Sequence, residues 1–472
     1  MAWRLTPLAE VTARISETQR AAWRIWNALD LNDTALDRLA FQARDELPSA
    51  YRVSDLAAGA IGAAALAVSE LVGIDYAAPP VRVDRRLAAL WFGWSIKPIG
   101  WEMPAAWDPI VGDYRAGDGW IRLHTNAPRH RAAALAVLDC PEDRDTVAAA
   151  VAGWSADELE TAVVTAGGCG AAMRTEAAWA AHPQGAAVAA EPLVAMKRFG
   201  GGERIAGWRP NPERPLAGIR VLDLTRVLAG PVATRFLAGY GASVLRIDPP
   251  DWDEPGVIPE VTLGKRCARL DLQRPDDRAI FEGLLSTADV FVHGYRPGAL
   301  EALGYEEDTR RALAPQIVDV SLDAYGWTGP WNARRGFDSL VQMSSGIAAQ
   351  GMVWKEADRP TPLPVQALDQ ATGYLMAATA VRGLIGRLRT GESLRGRVSL
   401  ARTAAELVRL GRLDAAGSWA GVAEADLSTD VETTDWGPAR RARPPAEIDN
   451  APMRWETGAI RLGAAAAAWW QS

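Results

Sequence analysis

Short apolar runs alternate with amphipathic stretches along residues 219 to 321. The pattern predicts elements in a regular order, namely strand Ile219 to Leu224, helix Val232 to Gly239, strand Ser243 to Asp248, helix Arg278 to Ser286, strand Asp289 to Val292, helix Ala312 to Ala314 and strand Gln316 to Ser321. Strands that alternate with helices favour a parallel sheet covered on both faces. The fold class predicted for this part is therefore α/β, with a Rossmann-like parallel sheet.

The first part of the chain has a different pattern. Residues 1 to 50 combine polar and apolar positions in the manner of two helices, and no strand is predicted there. Asp55 to Gly73 is alanine-rich and apolar nearly all round, which predicts a buried helix. Gly112 to Thr125 predicts two strands around an Ala-Gly-Asp-Gly turn. These features indicate a smaller α+β domain ahead of the parallel sheet.

A segment rich in glycine, proline and charge, Phe199 to Pro215, separates the two patterns as a linker would. The domains predicted from these changes are a helical segment at 1–50, a small α+β domain within 51–200, a linker at 201–215, a Rossmann-like head at 216–415 and a tail at 416–472. The tail is poorly patterned, and we expect it to dock as loose strands.

The two parts share a short motif. Asp55 to Gly59 and Asp369 to Gly373 both read D-x-A-x-G, and residues 81–90 resemble residues 397–407. Chance agreement between alanine-rich helices is one explanation. Matches that recur in the same order favour the other, an internal duplication in which the first part is a partial copy without a head.

Composition excludes several classes of function. A net charge of −7 without a basic run argues against nucleic-acid binding. Three scattered cysteines argue against a disulfide framework, and four histidines without H-x-x-x-H spacing argue against a histidine metal site. No run has the length of a membrane span and the N-terminus has no signal-like apolar core, so we expect a cytoplasmic protein without membrane contact.

Three loops at the ends of predicted strands carry candidate ligand-binding residues. A tight turn at Asp223 to Pro231 leads from strand to helix, where backbone N–H groups and the helix dipole favour an anion. The pair Lys265 and Arg266 precedes a strand, and Arg296 follows one in a Pro-Gly turn. A plain turn or a solvated charge pair explains each loop without a ligand. The missing G-x-G-x-x-G pattern argues against a nicotinamide or flavin enzyme.

Six ordered motifs then carry a resemblance. They are LAGIRVLDLTRVLAGPVATRFLAGYGASVLRIDPP, GKRCARLDL, ADVFVHGYRPGALEALGY, VSLDAYGWTGPW, RRGFDSLVQMSSG and ALDQATG. Together they resemble the family III CoA-transferases, the group of formyl-CoA and carnitine CoA-transferases and α-methylacyl-CoA racemase. The stretch GDYRAGDGWIRL resembles that family's small domain. In the family this domain follows the head, whereas here it precedes it, which implies a rearranged domain order.

The resemblance implies an activity and a site. It implies transfer of CoA from an acyl-CoA thioester to an acceptor carboxylate, through a covalent intermediate on Asp369, in an interlocked homodimer without a tightly bound cofactor. The residues that it implies for CoA binding are Arg226, Ala229, Arg246, Lys265, Arg266 and Arg296. The family often has other residues at His293 and Gly294, which weakens the match of the loop around Arg296.

Alternatives stay open at this point. Asp369 is also a favoured helix N-cap residue, and its twin Asp55 is expected to be only a structural cap. The family's racemases carry a histidine where this chain has Phe337, which cannot transfer a proton, so racemization is disfavoured. Asp338 is expected to be a structural carboxylate near Arg334 and Arg335. A CoA-binding protein without turnover is a further alternative, and a nucleotide-dependent oxidoreductase is disfavoured.

Overall fold

A computed structural model describes residues 15–43, 45–200, 207–413 and 419–470. The centre of the fold is a seven-stranded sheet of order β10-β9-β8-β11-β12-β13-β7. Its strands are β7 (Ala195–Phe199), β8 (Arg220–Leu224), β9 (Ser243–Asp248), β10 (Lys265–Arg269), β11 (Val290–His293), β12 (Val318–Asp323) and β13 (Ser393–Ser399). All neighbours in this sheet are parallel except β13 and β7. The predicted α/β class and parallel sheet are confirmed.

Helices cover the sheet and build the N-terminal part. In chain order they are α1 (Glu17–Ala28), α2 (Val53–Val72), α3 (Arg85–Phe92), α4 (Pro128–Leu138), α5 (Arg144–Val151), α6 (Ala156–Thr165), α7 (Glu176–Ala181), α8 (Pro183–Ala190), α9 (Ala229–Gly239), α10 (Ile258–Val261), α11 (Pro275–Ser286), α12 (Glu307–Leu313), α13 (Asp338–Ser344), α14 (Ile347–Trp354), α15 (Ala367–Arg389) and α16 (Leu400–Leu410). By length and composition α2 could cross a membrane, but 94% of its apolar window is buried inside the protein, as in a core helix.

Three small sheets join distant parts of the chain. They contain β1 (Leu39–Gln42), β2 (Val81–Asp84), β3 (Ile96–Pro98), β4 (Gly112–Arg115), β5 (Trp120–Leu123), β6 (Gly170–Ala172), β14 (Glu432–Thr434), β15 (Gly437–Arg441) and β16 (Ala446–Ile448). The tail strands β15 and β16 pair with β3 and β2 of the N-terminal part. The tail thus docks as short strands, as expected.

The N-terminal segment differs from its prediction. Helix α1 is present, but a short 3-10 helix at Asp33–Arg38 and strand β1 stand where a second α-helix was expected. Strand β1 pairs in parallel with β2, and this pairing is a tertiary interaction that the local pattern does not reveal. The beginning of this predicted helical segment, residues 1–14, lies outside the described residues.

Helices α2 and α15 begin in the same way. The residues that precede them, Arg52 and Gln366, have φ/ψ of −75°/58° and −75°/64°. In both cases the first helical N–H donates to a carbonyl two residues back, at 2.8 Å. Each helix is followed by a strand and a second helix, α2-β2-α3 and α15-β13-α16. The motif D-x-A-x-G therefore occupies the same local geometry in α2 and α15.

The glycine of this motif allows close helix packing in both α2 and α15. A Cβ on Gly59 would lie 2.6 Å from the Ala21 Cβ of α1. A Cβ on Gly373 would lie 2.4 Å from the Ala229 carbonyl oxygen of α9. Contacts this short do not occur in folded proteins, so a larger residue at either position would force the helices apart.

We expect Gly373→Ala to lower the free energy of unfolding by about 1–3 kcal/mol, because α15 and α9 must separate. Gly283→Ala is the matched control, since its Cβ would have no heavy atom within 4 Å in helix α11. That substitution should instead stabilise the protein by about 0.5–1 kcal/mol, through helix propensity. Chemical denaturation of both variants measures the difference, and equal effects would contradict the packing role of Gly373.

Candidate active site

A cavity of about 430 Å³ opens at the N-terminus of α15. Both parts of the chain contribute to its lining, with residues from 92–94, 105–108 and 124–127 on one side and from 227–228, 252–257, 337–339 and 364–370 on the other. The N-terminal part therefore contributes directly to the lining of the cavity that contains Asp369.

Asp369 lies in the first turn of α15, with 7% of its surface exposed, and lines the cavity. It does not cap its own helix, because no side chain bonds to the helix start from the capping position, Gln366. The cap comes from Asp338, whose Oδ2 accepts the backbone N–H groups of Leu368 and Asp369, each at 2.9 Å. Gln342 donates to the other oxygen of Asp338. The Asp369 carboxyl is thereby left free to face the cavity.

Asp338 is structural, as expected, but its partners are not the expected arginines. Arg334 pairs with Glu160 at 2.8 Å, and Arg335 approaches the Gly167 carbonyl. The carboxylate of Asp338 is held instead by two backbone N–H groups and one amide. The sequence alone does not show that the segments RRGFD and ALDQATG lie side by side, so this arrangement could not be predicted from it.

Burial and mutual repulsion set the protonation of the two carboxyls. Desolvation by burial, followed by the charge of Asp338, raises the pKa of Asp369 well above its usual range. Burial also raises the pKa of Asp338 to about 6, against the lowering effect of its hydrogen bonds. An Asp369 carboxylate in this site is poorly solvated and therefore more reactive than a carboxylate in water.

The turn between β8 and α9 approaches the same cavity. Val227 lines it and has φ +62°, a left-handed conformation that a β-branched residue rarely adopts. The Val227 N–H donates to Glu254 Oε2 at 2.8 Å, which holds the turn in place. Backbone strain of this kind is concentrated at functional sites. Ala229, predicted to lie against CoA, is buried as the first residue of α9 in this turn.

Two of the six residues predicted to bind CoA do not fit that role. Arg246 has no exposed surface and is paired with Asp248 at 2.8 Å and with Glu254. Lys265 is 1% exposed, and its Nζ lies 3.1 Å from Asp223 Oδ2. Internal carboxylates already neutralise both cations, so neither presents its charge to a ligand. The motif showed cations near strand ends, but it could not show that they point inward.

The other predicted cations are accessible. Arg226 is half-buried, donates to the Tyr295 hydroxyl at 3.0 Å and stacks 4.5 Å from the centre of the Trp252 ring. Arg296 is exposed, and Arg266 is half-buried near the Trp470 ring. No described carboxylate forms an ion pair with these three arginines.

Two further arginines join Arg296, and sequence reasoning did not single them out as ligands. Burial and then the charges of Arg296 and Arg129 lower the pKa of Arg335. Arg296 and Arg129 thus each lie close enough to Arg335 to disfavour its charge, and within the described residues no ion pair joins a carboxylate to any of the three. Such a cluster is poised for an anionic ligand. We call Arg129, Arg296 and Arg335 the arginine cluster.

In this α/β fold a buried aspartate at a helix N-terminus thus lies beside a strained strand-to-helix turn. Residues 216–425 match the profile of CoA-transferase family III.

Curated proteins named as CoA-transferases are similar to part of the chain. The chain is 34% identical over 222 residues to the succinyl-CoA:glutarate CoA-transferase of Mus musculus, covering 43% of this chain and 50% of the relative. It is 32% identical over 203 residues to the succinate–glutarate CoA-transferase of Agrobacterium fabrum, covering 39% and 50%. A crystal structure of Rv3272 from Mycobacterium tuberculosis is 32% identical over 42% of this chain and 58% of that one, with a TM-score of 0.39. The matches span about half the length of the curated relatives.

The coupled carboxyls predict a pH dependence of stability. Because folding raises the pKa of both carboxyls, the folded state holds their protons more tightly. The stability that this contributes is present at low pH and is lost as pH rises, for Asp338 from about 4 through about 6. Asp338→Asn removes one of the two carboxyls and also the negative charge that helps to raise the pKa of Asp369. Between pH 4 and pH 7 the wild type should therefore lose about 2–3 kcal/mol more unfolding free energy than this variant.

Denaturation of both proteins at several pH values measures this difference. Asp251→Asn, at an exposed position, controls for the general loss of a negative charge. Parallel pH profiles for the wild type and Asp338→Asn would contradict the coupling between Asp338 and Asp369.

Proposed function

We propose that the protein is a CoA-transferase that moves CoA from an acyl-CoA thioester to an acceptor carboxylate by way of Asp369. The observation that carries this proposal is the buried carboxyl of Asp369, which lines a cavity and belongs to the segment that matches the family III profile. The resemblance of the ALDQATG motif to the family's catalytic motif supports Asp369 as the nucleophile.

The reaction balances without a further reactant. An Asp369 carboxylate oxygen attacks the thioester carbonyl, the C–S bond breaks, and the mixed anhydride and CoA thiolate result. The thiolate then attacks the aspartyl carbonyl and releases the donor carboxylate, which leaves an aspartyl-CoA thioester. The acceptor carboxylate attacks this thioester, forming a second anhydride and the thiolate. Attack of the thiolate on the acceptor's acyl carbon regenerates Asp369.

Oxyanion stabilisation must come from groups other than the start of α15. Asp338 accepts the N–H groups of Leu368 and Asp369, and the Ala367 N–H donates to the Val365 carbonyl. The unpartnered donors that line the cavity include the Gln370 amide and the Ser339 hydroxyl. We assign them to the developing oxyanion, because preorganised neutral donors stabilise such a charge without a cost of reorganisation.

Racemization remains disfavoured, because Phe337 stands where the family's racemases carry a histidine and the nearby His124 is unsuited to act as a base. Phe337 stacks on His124 with ring centres 3.7 Å apart and planes 5° from parallel. Burial first, and then the charge of Arg122, lowers the pKa of His124 to about 3. A base that weak, locked against a phenyl ring, is poorly suited to take a proton from carbon.

The covalent step is open to direct detection. Acid quenching during turnover with a panel of acyl-CoA thioesters should leave an acyl or CoA adduct on the peptide that contains Asp369, as seen by mass spectrometry. Asp369→Asn should abolish the adduct. Asp55→Asn, in the twin helix, is the matched control and should retain it at temperatures where the variant is folded. CoA binding without an adduct from any thioester would favour a binding protein without turnover.

The arginine cluster gives a separate prediction about CoA binding. Arg335→Ala or Arg296→Ala should raise the Kd for free CoA about tenfold, through the loss of a charge-assisted contact to phosphate. Arg359→Ala, an exposed arginine distant in sequence from the predicted loops, should leave the Kd unchanged. Calorimetric titration with CoA measures each Kd. Wild-type affinity in both cluster variants would show that the phosphates bind elsewhere.

A further inference from the structure

One wall of the cavity is a continuous stack of rings. Trp107 meets His124 edge-on at 6.0 Å, and His124 lies flat against Phe337 at 3.7 Å. His130 supports the far edge of Phe337 at 6.0 Å. Trp94 and Trp252 also line the cavity. Rings in this arrangement offer a large and rigid apolar surface to a ligand.

This wall carries no charge in the ordinary range of pH. The pKa of His124 is about 3 and that of His130 about 4, in both cases mainly because of burial. Both imidazoles are therefore neutral near pH 7. The Nδ1 of His124 has no hydrogen-bond partner and is available as a neutral polar contact.

Apart from His124, the ionisable side chains among the described lining residues are all carboxylic acids. Asp369 is reserved for the reaction, Asp338 caps α15, and Asp253 is exposed at the rim. Asp108 accepts two backbone N–H groups, and Glu254 pairs with Arg246. The described part of the lining contains no lysine or arginine.

The nearest cations lie outside the lining. Arg122 approaches the Trp107 ring at 5.7 Å and is paired with Asp113 at 2.8 Å. Arg226 lies over the Trp252 ring. The described lining itself thus offers no cation to a second carboxylate on an acyl group, which would lie beside Asp369 and Asp338 at a cost of several kcal/mol by desolvation and repulsion.

The polar atoms left unpartnered in the lining are neutral. They include both amide atoms of Gln370, which is 1% exposed, and the hydroxyl of Ser339, which is 6% exposed. Buried neutral groups of this kind bind carbonyl or hydroxyl groups well and select weakly for charge.

We infer that the transferred acyl group is uncharged and has an aromatic or bulky branched body. The inference rests on the proposed function, since it concerns the acyl-CoA that reaches Asp369. The ring wall provides the contact surface, the neutral polar groups bind the carbonyl, and the missing cation disfavours dicarboxylic acyl groups. In this respect the cavity differs from what the names of the succinate and glutarate transferases would suggest.

Binding to the full-length Asp369→Asn protein tests this inference without turnover. We expect benzoyl-CoA and isovaleryl-CoA to bind at least about tenfold more tightly than succinyl-CoA, because only the last brings a second charge. Equal or tighter binding of succinyl-CoA would overturn the inference, as would a preference for the cationic betainyl-CoA. Free CoA provides the reference affinity.

Substitutions of Trp107, the exposed ring of this wall, test whether the wall determines which acyl-CoA binds more tightly. Trp107 is 45% exposed, which makes its replacement tolerable for folding. Trp107→Ala should weaken benzoyl-CoA binding about fivefold or more without changing the Kd of free CoA. Trp107→Arg should shift the preference toward succinyl-CoA. Tyr76→Ala, at a ring 52% exposed outside the cavity, is the matched control. Unchanged selectivity in both Trp107 variants would overturn the assignment of this wall.

The failure of each proposal has its own signature. If no thioester leaves an adduct on Asp369 while benzoyl-CoA still binds more tightly than succinyl-CoA, the transferase proposal fails and the ligand selectivity holds. If adducts form fastest with succinyl-CoA, the transferase proposal holds and the selectivity inference is wrong.

Discussion

The hydrogen bonds from the start of α15 to Asp338 are the constraint on which the site depends. A single carboxylate accepts two N–H groups of the helix and thereby joins the start of α13 to the first turn of α15. Its charge also opposes ionisation of Asp369. One residue thus caps the helix that carries Asp369 and raises the pKa of the Asp369 carboxyl.

The sequence predicts those features that depend on local pattern or on motifs. Apolar runs around residues 219 to 321 place the parallel strands correctly, and the ordered motifs lie within the segment that matches the family profile. The direction of a side chain depends on tertiary contacts, so the inward position of Arg246 and Lys265 could not be predicted. For the same reason β1 was missed, since its only partner lies about 40 residues away.

Asp55 and Asp369 show how surroundings separate two equivalent carboxylates. Both occupy the third position of helices that begin with the same backbone geometry. Asp55 accepts hydrogen bonds from Thr18 and from Arg85, whose guanidinium neutralises it at 3.2 Å. Asp369 has a carboxylate neighbour instead of a cation. The pair illustrates that a helix position alone does not determine chemistry, whereas the charge beside it does.

The pairing of β2 with β16 has a consequence for biosynthesis. Val81–Asp84 must wait for Ala446–Ile448 before its small sheet is complete, although β2 leaves the ribosome far earlier. At ordinary rates of translation the delay is on the order of tens of seconds. During that time the apolar face of the N-terminal part is only partly covered. The contacts that complete the N-terminal part therefore form only after the parallel sheet of the head has been synthesised.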